Sequence, residues 1–350
     1  MTHLPDASRA GRRVSAVSFS CFFLTVLFWG FAAVLPAVAA DVTVSSPPSG
    51  ARALMKDVKG CALVMDLHTG EILDAYNLSR AVGYEYPSTS VLKPVVALGA
   101  LRYGVLSPEE KVEGDRKKLL KQYGDAMRSY LNRDLGALDL GSAMAASDNL
   151  FFYVVGERLG EARVRTLYES FSFGKATGLD PAKEKPGRIP KGLTGAERLH
   201  FLGWGSKSMR VTAAQLLVAM AAFGNGGYQL RPFLGPKAPK VVSRIAAEEE
   251  FAQVRKALRR VVTEGTGRDA NRDGYSVYGK TGSVFLPGTT TPLGVFAGFT
   301  EGAPRDVAFV VIVEGASAPR AVRLAGKLLD SLEKSPGAAS RIGAKESERS

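Results

Sequence analysis

Hydrophobic and polar positions along the chain predict strands near both of its ends. The stretch "ALVMDLHTGEILDAYN" contains two mostly apolar runs joined around His68-Thr69-Gly70, which is the pattern of a β-hairpin. Toward the other end, "YSVYGKTGSVF", "LGVFAGFT" and "VAFVVIVEG" are three strand-like runs with short connections, which predict a meander. We therefore expect a mainly antiparallel five-stranded sheet that is completed by both ends of the chain.

The residues between these strands have the spacing of helices. The helical pattern begins at Ser90, continues through Leu101, and predicts a helical insertion at about 95–207. In "VTAAQLLVAMAAFGNGG", Thr212 is a candidate N-cap, and "EEEFAQVRKALRRVVTEG" and "PRAVRLAGKLLDSLEK" each have one apolar face. The predicted fold class is α/β of the α+β type, in which helices flank the sheet and an all-helical subdomain is inserted.

Residues 1–40 have the pattern of an export segment. Three arginines precede an uncharged stretch whose densest part is "CFFLTVLFWGFAAVL", and small residues in an A-x-A pattern follow. Two interpretations stay open, a cleaved signal peptide and a retained membrane anchor. Both place the rest of the chain in the cell envelope, at the outer face of the cytoplasmic membrane or in the periplasm. We expect a Ser/Pro/Gly-rich linker at 41–57, one domain at 58–333 and a flexible tail at 334–350.

The composition is that of a packed globular protein with a basic surface. Hydrophobic residues make up 45% and charged residues 23% of the chain, and the formal net charge is +12. Lysines and arginines are interleaved with acidic residues, which argues against nucleic acid and leaves an anionic membrane, an anionic wall precursor or a merely soluble basic surface. Cys61 lies in an apolar run and is predicted to be a buried packing residue. The three scattered histidines favour neither a metal site nor a cofactor.

A serine and a lysine stand three residues apart in "YPSTSVLKPVV", where an apolar helix begins. This spacing places the Lys93 side chain beside the Ser90 hydroxyl, and the free N–H groups of the helix start favour an oxyanion. Lys93 acts as a base only when it is neutral, which needs about 4 kcal/mol of disfavoured charge from burial and a second cation. A snorkelling surface lysine is the alternative. A second copy of the spacing, Ser331 to Lys334, is interpreted as a solvated helix end.

A second motif, "ASDNLFF", combines a hydroxyl with an amide two residues later. Ser147 can pass a proton to a leaving amine, and Asn149 can hold a substrate carbonyl or steady Lys93. Serine, aspartate and asparagine are also the residues that most often cap a helix, so a structural cap is the alternative interpretation.

A third motif, "YGKTGSV", lies on a predicted strand. Lys280, Thr281 and Ser283 offer a cation and two hydroxyls to a carboxylate, and Gly282 leaves room for a peptide to lie against the strand. An exposed strand with a turn-like glycine is the alternative. Each motif is ambiguous alone, but their order and wide spacing are together much rarer than any one of them.

The three motifs together resemble those of the penicillin-binding transpeptidases and the related serine β-lactamases and D,D-peptidases, which carry Ser-x-x-Lys, Ser-x-Asn and Lys-Thr-Gly. The first hairpin, "FGKATGLDPAKEKPGRIP", "VTAAQLLVAMAAFGNGG" and "VTEGTGRDA" are similar to further segments of the class B penicillin-binding proteins, so the resemblance covers residues 58 to about 330. It implies a β-lactamase/transpeptidase-like fold, D,D-transpeptidase acyl transfer on D-alanyl-D-alanine stem peptides of peptidoglycan, and covalent inhibition by β-lactams. Other proteins of cell-wall synthesis are candidate partners, and no cofactor or metal is expected.

Carried over residue by residue, the resemblance makes Ser90 the nucleophile and Lys93 its base. Ser147 would relay the proton to the leaving group, and Asn149 would orient the substrate. Lys280 would supply positive potential and keep the neighbouring lysine short of its charge.

The same resemblance assigns the substrate-binding strand and also shows two departures. Thr281 and Ser283 would bind the terminal carboxylate beside Gly282, and the backbone N–H groups of Ser90 and Ser283 would form the oxyanion hole. The family usually has Gly just before the nucleophile and Thr after Lys-Thr-Gly. Here Thr89 and Ser283 stand at those positions, and both changes keep the chemistry.

Three alternatives share this constellation: a D,D-carboxypeptidase, a β-lactamase that hydrolyses the same acyl-enzyme, and a β-lactam sensor or scaffold without turnover. The class A β-lactamase pattern Glu-x-x-Leu-Asn is absent, because Leu199 and His200 follow Glu197 by only two and three places in "GAERLHF". Slow deacylation is therefore expected.

Overall fold

The computed structural model describes residues 50–131, 133–180 and 182–334. The predicted export segment, most of the predicted linker and all but the first residue of the predicted tail lie outside these ranges. None of the helices within them combines the length and apolarity that a membrane span requires.

Helices and strands alternate along the described part of the chain in the order that follows. They are α1 (Gly50–Met55), β1 (Gly60–Asp66), β2 (Ile72–Tyr76), α2 (Leu78–Gly83), β3 (Tyr86–Pro87), α3 (Lys93–Arg102), α4 (Arg116–Tyr123), α5 (Asp125–Arg128), α6 (Leu140–Ala146), α7 (Asn149–Leu159), α8 (Glu161–Ser170), α9 (Gly195–Trp204), β4 (Arg210–Val211), α10 (Ala213–Gly224), β5 (Tyr228–Leu230), β6 (Val241–Arg244), α11 (Glu248–Thr263), β7 (Ser276–Phe285), β8 (Pro292–Glu301), β9 (Val307–Glu314) and α12 (Ala318–Glu333). Single 3-10 turns occupy Ser90–Leu92 and Arg268–Ala270.

Five strands form one antiparallel sheet in the order β2-β1-β9-β8-β7. The first hairpin and the final meander meet where β1 pairs with β9, from Gly60 opposite Val313 to Asp66 opposite Val307. This confirms the predicted antiparallel sheet that both ends of the chain complete. Strand β7, which carries the Lys-Thr-Gly motif, lies at one edge of the sheet.

The sheet buries both of its faces, because successive side chains of a strand point to opposite sides. In β9 one set faces the helical layer and the other faces α1 and α12; the first set is Ala308, Val310 and Ile312, and the second is Phe309, Val311 and Val313. Fully burying such an aliphatic or aromatic side chain contributes about 1.5–3 kcal/mol. Cys61 of β1 is fully buried as predicted, and burial raises the pKa of its thiol to about 12.

Helices α3 to α9 follow one another between residues 93 and 204, which confirms the predicted helical insertion. Helix α10 packs behind the sheet against β1, β8 and β9. Thr212 caps it as predicted: Thr212 Oγ1 accepts from Gln215 N at 3.2 Å, and Gln215 Oε1 accepts from Thr212 N at 2.9 Å. Such a cap is worth about 1 kcal/mol.

The predicted linker at 41–57 is wrong for its last eight residues. Residues 50–55 form α1, in which Ala51 and Met55 are buried against α12. The two apolar residues are four positions apart and so share one helix face. Their Ser/Pro/Gly-rich surroundings conceal this pattern, and the burial that stabilises it comes from a helix almost three hundred residues later.

Candidate active site

Ser90 begins the 3-10 turn that leads into α3. Thr89 caps this turn, since its Oγ1 accepts from Val91 N at 3.4 Å. Pro94 falls in the first turn of α3, as predicted, where a missing N–H removes no helical hydrogen bond. The turn leaves Ser90 half-buried at the surface of a cleft, whereas Lys93 is fully buried.

The Lys93 ammonium lies against the turn between α6 and α7. Its Nζ donates to Ser147 O at 2.7 Å, Asp148 O at 3.0 Å and Asn149 Oδ1 at 2.7 Å. The ring of Trp204 covers it, with the centroid 4.9 Å from Nζ. Lys93 is therefore a buried and fully hydrogen-bonded side chain, which excludes the snorkelling alternative.

The predicted hydrogen bond between Lys93 and Ser90 is not formed within the described residues. Lys93 Nζ is bound instead by the oxygens of the Ser147–Asn149 turn, which a pattern of local spacing does not include. The Ser-x-x-Lys spacing places both residues at the start of one helix, and the third element decides where the amine points.

Burial lowers the pKa of Lys93 well below its ordinary value, and the neighbouring Lys280 ammonium lowers it further. The Asp148 carboxylate acts in the opposite direction. Burial also lowers the pKa of Lys280, to about 7, with Arg133 as the second cause. The predicted second cation is therefore present, but burial is the larger influence on Lys93.

Ser147 lies between the two lysines. Its Oγ accepts from Lys280 Nζ at 2.8 Å and is 3.5 Å from Lys93 Nζ. The residue has the left-handed backbone conformation, with φ 54° and ψ 39°, a strain of about 1–3 kcal/mol that clusters at functional sites. The lysines and Ser147 thus form a continuous row, which we call the amine row (Lys93, Ser147 and Lys280).

The helix-cap interpretation of the second motif is correct for its middle residue. Asp148 Oδ1 accepts from Phe151 N at 2.7 Å and caps α7. This leaves Ser147 to the amine row and Asn149 to the cleft. Asn149 receives its hydrogen bond from Lys93 and donates through Nδ2 to Tyr130 O at 2.8 Å, so it connects the motif to the loop before α6.

Strand β7 contributes the third motif as predicted, with Lys280 fully buried. Thr281 Oγ1 shares a hydrogen bond of 2.6 Å with Thr266 Oγ1, and Ser283 Oγ accepts from Ala318 N at 3.1 Å. The glycine has a different cause from the one expected. A Cβ atom at Gly282 would meet the Thr89 side chain, so the glycine lets β7 approach the nucleophile turn.

A cleft of about 520 Å³ brings most of the predicted site residues together. It is lined by six of the eight: Ser90, Ser147, Asn149, Thr281, Gly282 and Ser283. The other two, Lys93 and Lys280, reach the cleft through Ser147. The sequence analysis missed Arg133, Thr266 and Arg268, which also line it. The segment "VTEGTGRDA" contains two of these three, but nothing in its pattern marks a side chain that faces a cleft.

Comparisons with known proteins agree with this geometry. The family model of the penicillin binding protein transpeptidase domain matches residues 60–330. The chain is 25% identical over 290 residues to the peptidoglycan D,D-transpeptidase MrdA of Acinetobacter baumannii, covering 72% of this chain and 43% of that protein. It is 32% identical over 232 residues to the stage V sporulation protein D of Bacillus subtilis, covering 60% of this chain and 34% of that protein.

A solved structure shows the same fold. The TP domain of penicillin-binding protein 3 from Burkholderia pseudomallei superposes with a TM-score of 0.67 at 21% identity, covering 82% of this chain and 93% of that one. The chain spans less than half the length of the two curated relatives above. The matched range includes the sheet and all three motifs. The chain therefore belongs to the penicillin-binding protein transpeptidase domain family.

Proposed function

We propose that this chain is a serine D,D-transpeptidase that forms an acyl-enzyme on Ser90 from D-alanyl-D-alanine stem peptides of peptidoglycan. The observation that carries the proposal is the amine row beside Ser90 in a cleft of peptide size. A buried amine with a lowered pKa next to an accessible hydroxyl is the arrangement that activates a serine nucleophile.

The first step needs Lys93 as a neutral amine. A neutral amine has two hydrogens, so it can donate to only two of the three oxygens that surround Nζ. Its lone pair is then free to accept the Ser90 proton while Oγ bonds to the carbonyl carbon of the penultimate D-alanine. Because burial and Lys280 both disfavour charge on Lys93, the neutral form is accessible near neutral pH.

The second step expels the terminal D-alanine. The C–N bond of the tetrahedral intermediate breaks, and the leaving nitrogen takes a proton from Ser147 Oγ. Lys93 replaces that proton across the 3.5 Å that separate its Nζ from Ser147 Oγ. Lys280 donates to the same hydroxyl from the other side and holds it in place.

Strand β7 holds the substrate in this proposal. An edge strand has free backbone groups, so an extended peptide can pair with it. Thr281 and Ser283 receive the terminal carboxylate, and Arg268 adds positive charge at the same end of the cleft. The N–H groups of Ser90 and Ser283 face the oxyanion, and each such donor typically lowers the barrier by about 3–4 kcal/mol.

The acyl group then passes to an amine of a second stem peptide, and β-lactams occupy the site as covalent inhibitors. The reaction takes place in the cell envelope, to which the export segment at 1–40 directs the chain as a signal peptide or a membrane anchor. The basic balance of the sequence suits an anionic membrane or wall precursor, and other cell-wall synthesis proteins are the expected partners.

The test is to supply a D-alanyl-D-alanine stem peptide with and without an amine acceptor. A transpeptidase releases D-alanine and forms a cross-linked peptide when the acceptor is present, and Ser90→Ala does neither. Release of D-alanine with water as the sole acceptor identifies a D,D-carboxypeptidase instead. Failure to release D-alanine under both conditions contradicts the proposal.

A further inference from the structure

A second, smaller cavity adjoins the cleft and shares Ser90, Asn149 and Ser283 with it. Its volume is about 50 Å³, which holds a water molecule but is too small for a peptide amine with its chain. Helix α9 supplies two of its walls, His200 and Trp204. The cavity thus brings a histidine of the helical layer to the same small space as the nucleophile.

His200 is 4% exposed and is held among aromatic rings. Its ring centroid lies 4.3 Å from that of Tyr130 and 5.5 Å from that of Trp204. Nδ1 is 3.6 Å from Glu197 Oε1. Nε2, on the opposite edge of the ring, is buried and has no hydrogen-bond partner among the described residues. A buried polar atom is normally satisfied, so this nitrogen indicates a bound small molecule.

Glu197 and His200 are three residues apart on α9 and therefore share a helix face. The hydrogen bond with His200 is the main cause that lowers the pKa of Glu197. The ionised carboxylate orients the proton of the imidazole to Nδ1, which leaves the lone pair on Nε2. A carboxylate, a histidine and a small polar cavity beside a serine are the parts that water activation needs.

We propose that His200, oriented by Glu197, is the general base that activates a water molecule in this cavity for hydrolysis of the Ser90 acyl-enzyme. The inference rests on the proposed function, because it needs an acyl group on Ser90. Water oxygen bonds to the acyl carbon while its proton passes to His200 Nε2. The bond from that carbon to Ser90 Oγ then breaks, and the proton returns to Oγ, which releases a carboxylic acid and the free serine.

This inference revises the expectation of slow deacylation. That expectation rested on the missing Glu-x-x-Leu-Asn pattern, which is one arrangement of a water-activating carboxylate. Here a carboxylate and an imidazole at i and i+3 take its place, and the cavity size selects water over the amine acceptor. The protein therefore divides its acyl-enzyme between transfer and hydrolysis.

The experiment separates formation of the acyl-enzyme from its loss. The full chain is labelled with a fluorescent penicillin, free label is removed, and the mass of the adduct is followed over hours. The variants are His200→Phe, which keeps an aromatic ring, and Glu197→Gln, which keeps the shape of the side chain. The matched control is His68→Asn, at an exposed histidine in the first hairpin.

We expect all four proteins to be labelled at similar rates and the adduct of both site variants to decay at least tenfold more slowly than that of the wild type and of His68→Asn. If His200→Phe does not fold, as judged by circular dichroism, Glu197→Gln carries the test. Equal decay in wild type and Glu197→Gln overturns the inference, as does a wild-type adduct that persists unchanged. A wild type that is never labelled overturns the proposed function itself and the inference with it.

Discussion

A Cβ atom added at Gly282 would lie 2.0 Å from Thr89 Oγ1. The edge strand and the nucleophile turn are therefore in direct contact, and the side chain before the nucleophile occupies the space above the glycine. Contact at this distance cannot be relieved without moving one of the two elements, because both atoms are fixed by short, stiff connections to the backbone. The relative position of β7 and Ser90 depends on this pair.

Gly282→Ala is expected to lower the rate of Ser90 acylation by about 100-fold, which is the typical effect of a 1 Å displacement between reacting groups. Thr89→Gly removes the opposing side chain, so the double variant Thr89→Gly/Gly282→Ala should recover most of the rate. Labelling kinetics with a fluorescent penicillin measure both. Normal acylation by Gly282→Ala alone would show that the contact does not position the strand.

Lys93→Met is expected to reduce acylation by roughly 10²–10⁴-fold, the usual contribution of a general base. The chain offers a matched control, because Lys334 ends a second Ser-x-x-Lys and is exposed at the end of α12. Lys334→Met should acylate at the wild-type rate. Equal rates for the two variants would remove Lys93 from the mechanism.

Asn149→Asp tests the charge state of Lys93. It places a carboxylate where Asn149 Oδ1 now accepts from Nζ at 2.7 Å, and an adjacent opposite charge raises the pKa of a lysine by roughly 1–3 units. The pH at which acylation reaches half its maximum should therefore move upward by a similar amount. The measurement is the pH profile of penicillin labelling, and an unshifted profile would contradict a neutral Lys93 as the base.

Lys280 makes the free energy of unfolding depend on pH. Its pKa is about 7 in the folded protein and 10.5 ordinarily, so between these values the unfolded chain binds the extra proton. The free energy of unfolding then rises with pH by up to about 1.4 kcal/mol per unit. Lys280→Met should show a slope smaller by about that amount between pH 7 and 9, below the ionisation of tyrosines. Urea unfolding at several pH values measures the slopes, and parallel curves would contradict the lowered pKa.

The sheet and the order of the helices could be predicted from the sequence because each element carries its own signal. The alternation in β7 to β9 and the cap at Thr212 are local patterns, and the structure confirms them. Helix α1 could not be predicted, because its stability depends on α12. The short ribbons β3–β4 and β5–β6 pair only two to four residues and lack a periodic pattern.

The candidate site was predicted in its residues more completely than in its contacts. The three motifs identified the members of the amine row, but the partner of Lys93 is set by the turn at Ser147, whose left-handed backbone has no sequence signal at a serine. Arg133 and Arg268 reach the cleft from loops that only the tertiary fold brings there. His200 was noted for its place in the sequence, while its cavity depends on the packing of α9.

The most direct measurement is the location of the covalent adduct after treatment of the full chain with a fluorescent penicillin. Peptide mapping by mass spectrometry is expected to find one label, on Ser90, and Ser90→Ala should keep its circular dichroism spectrum and take up none. An unlabelled wild type, or a label that persists in Ser90→Ala, would contradict the account that Ser90 is the nucleophile of this cleft.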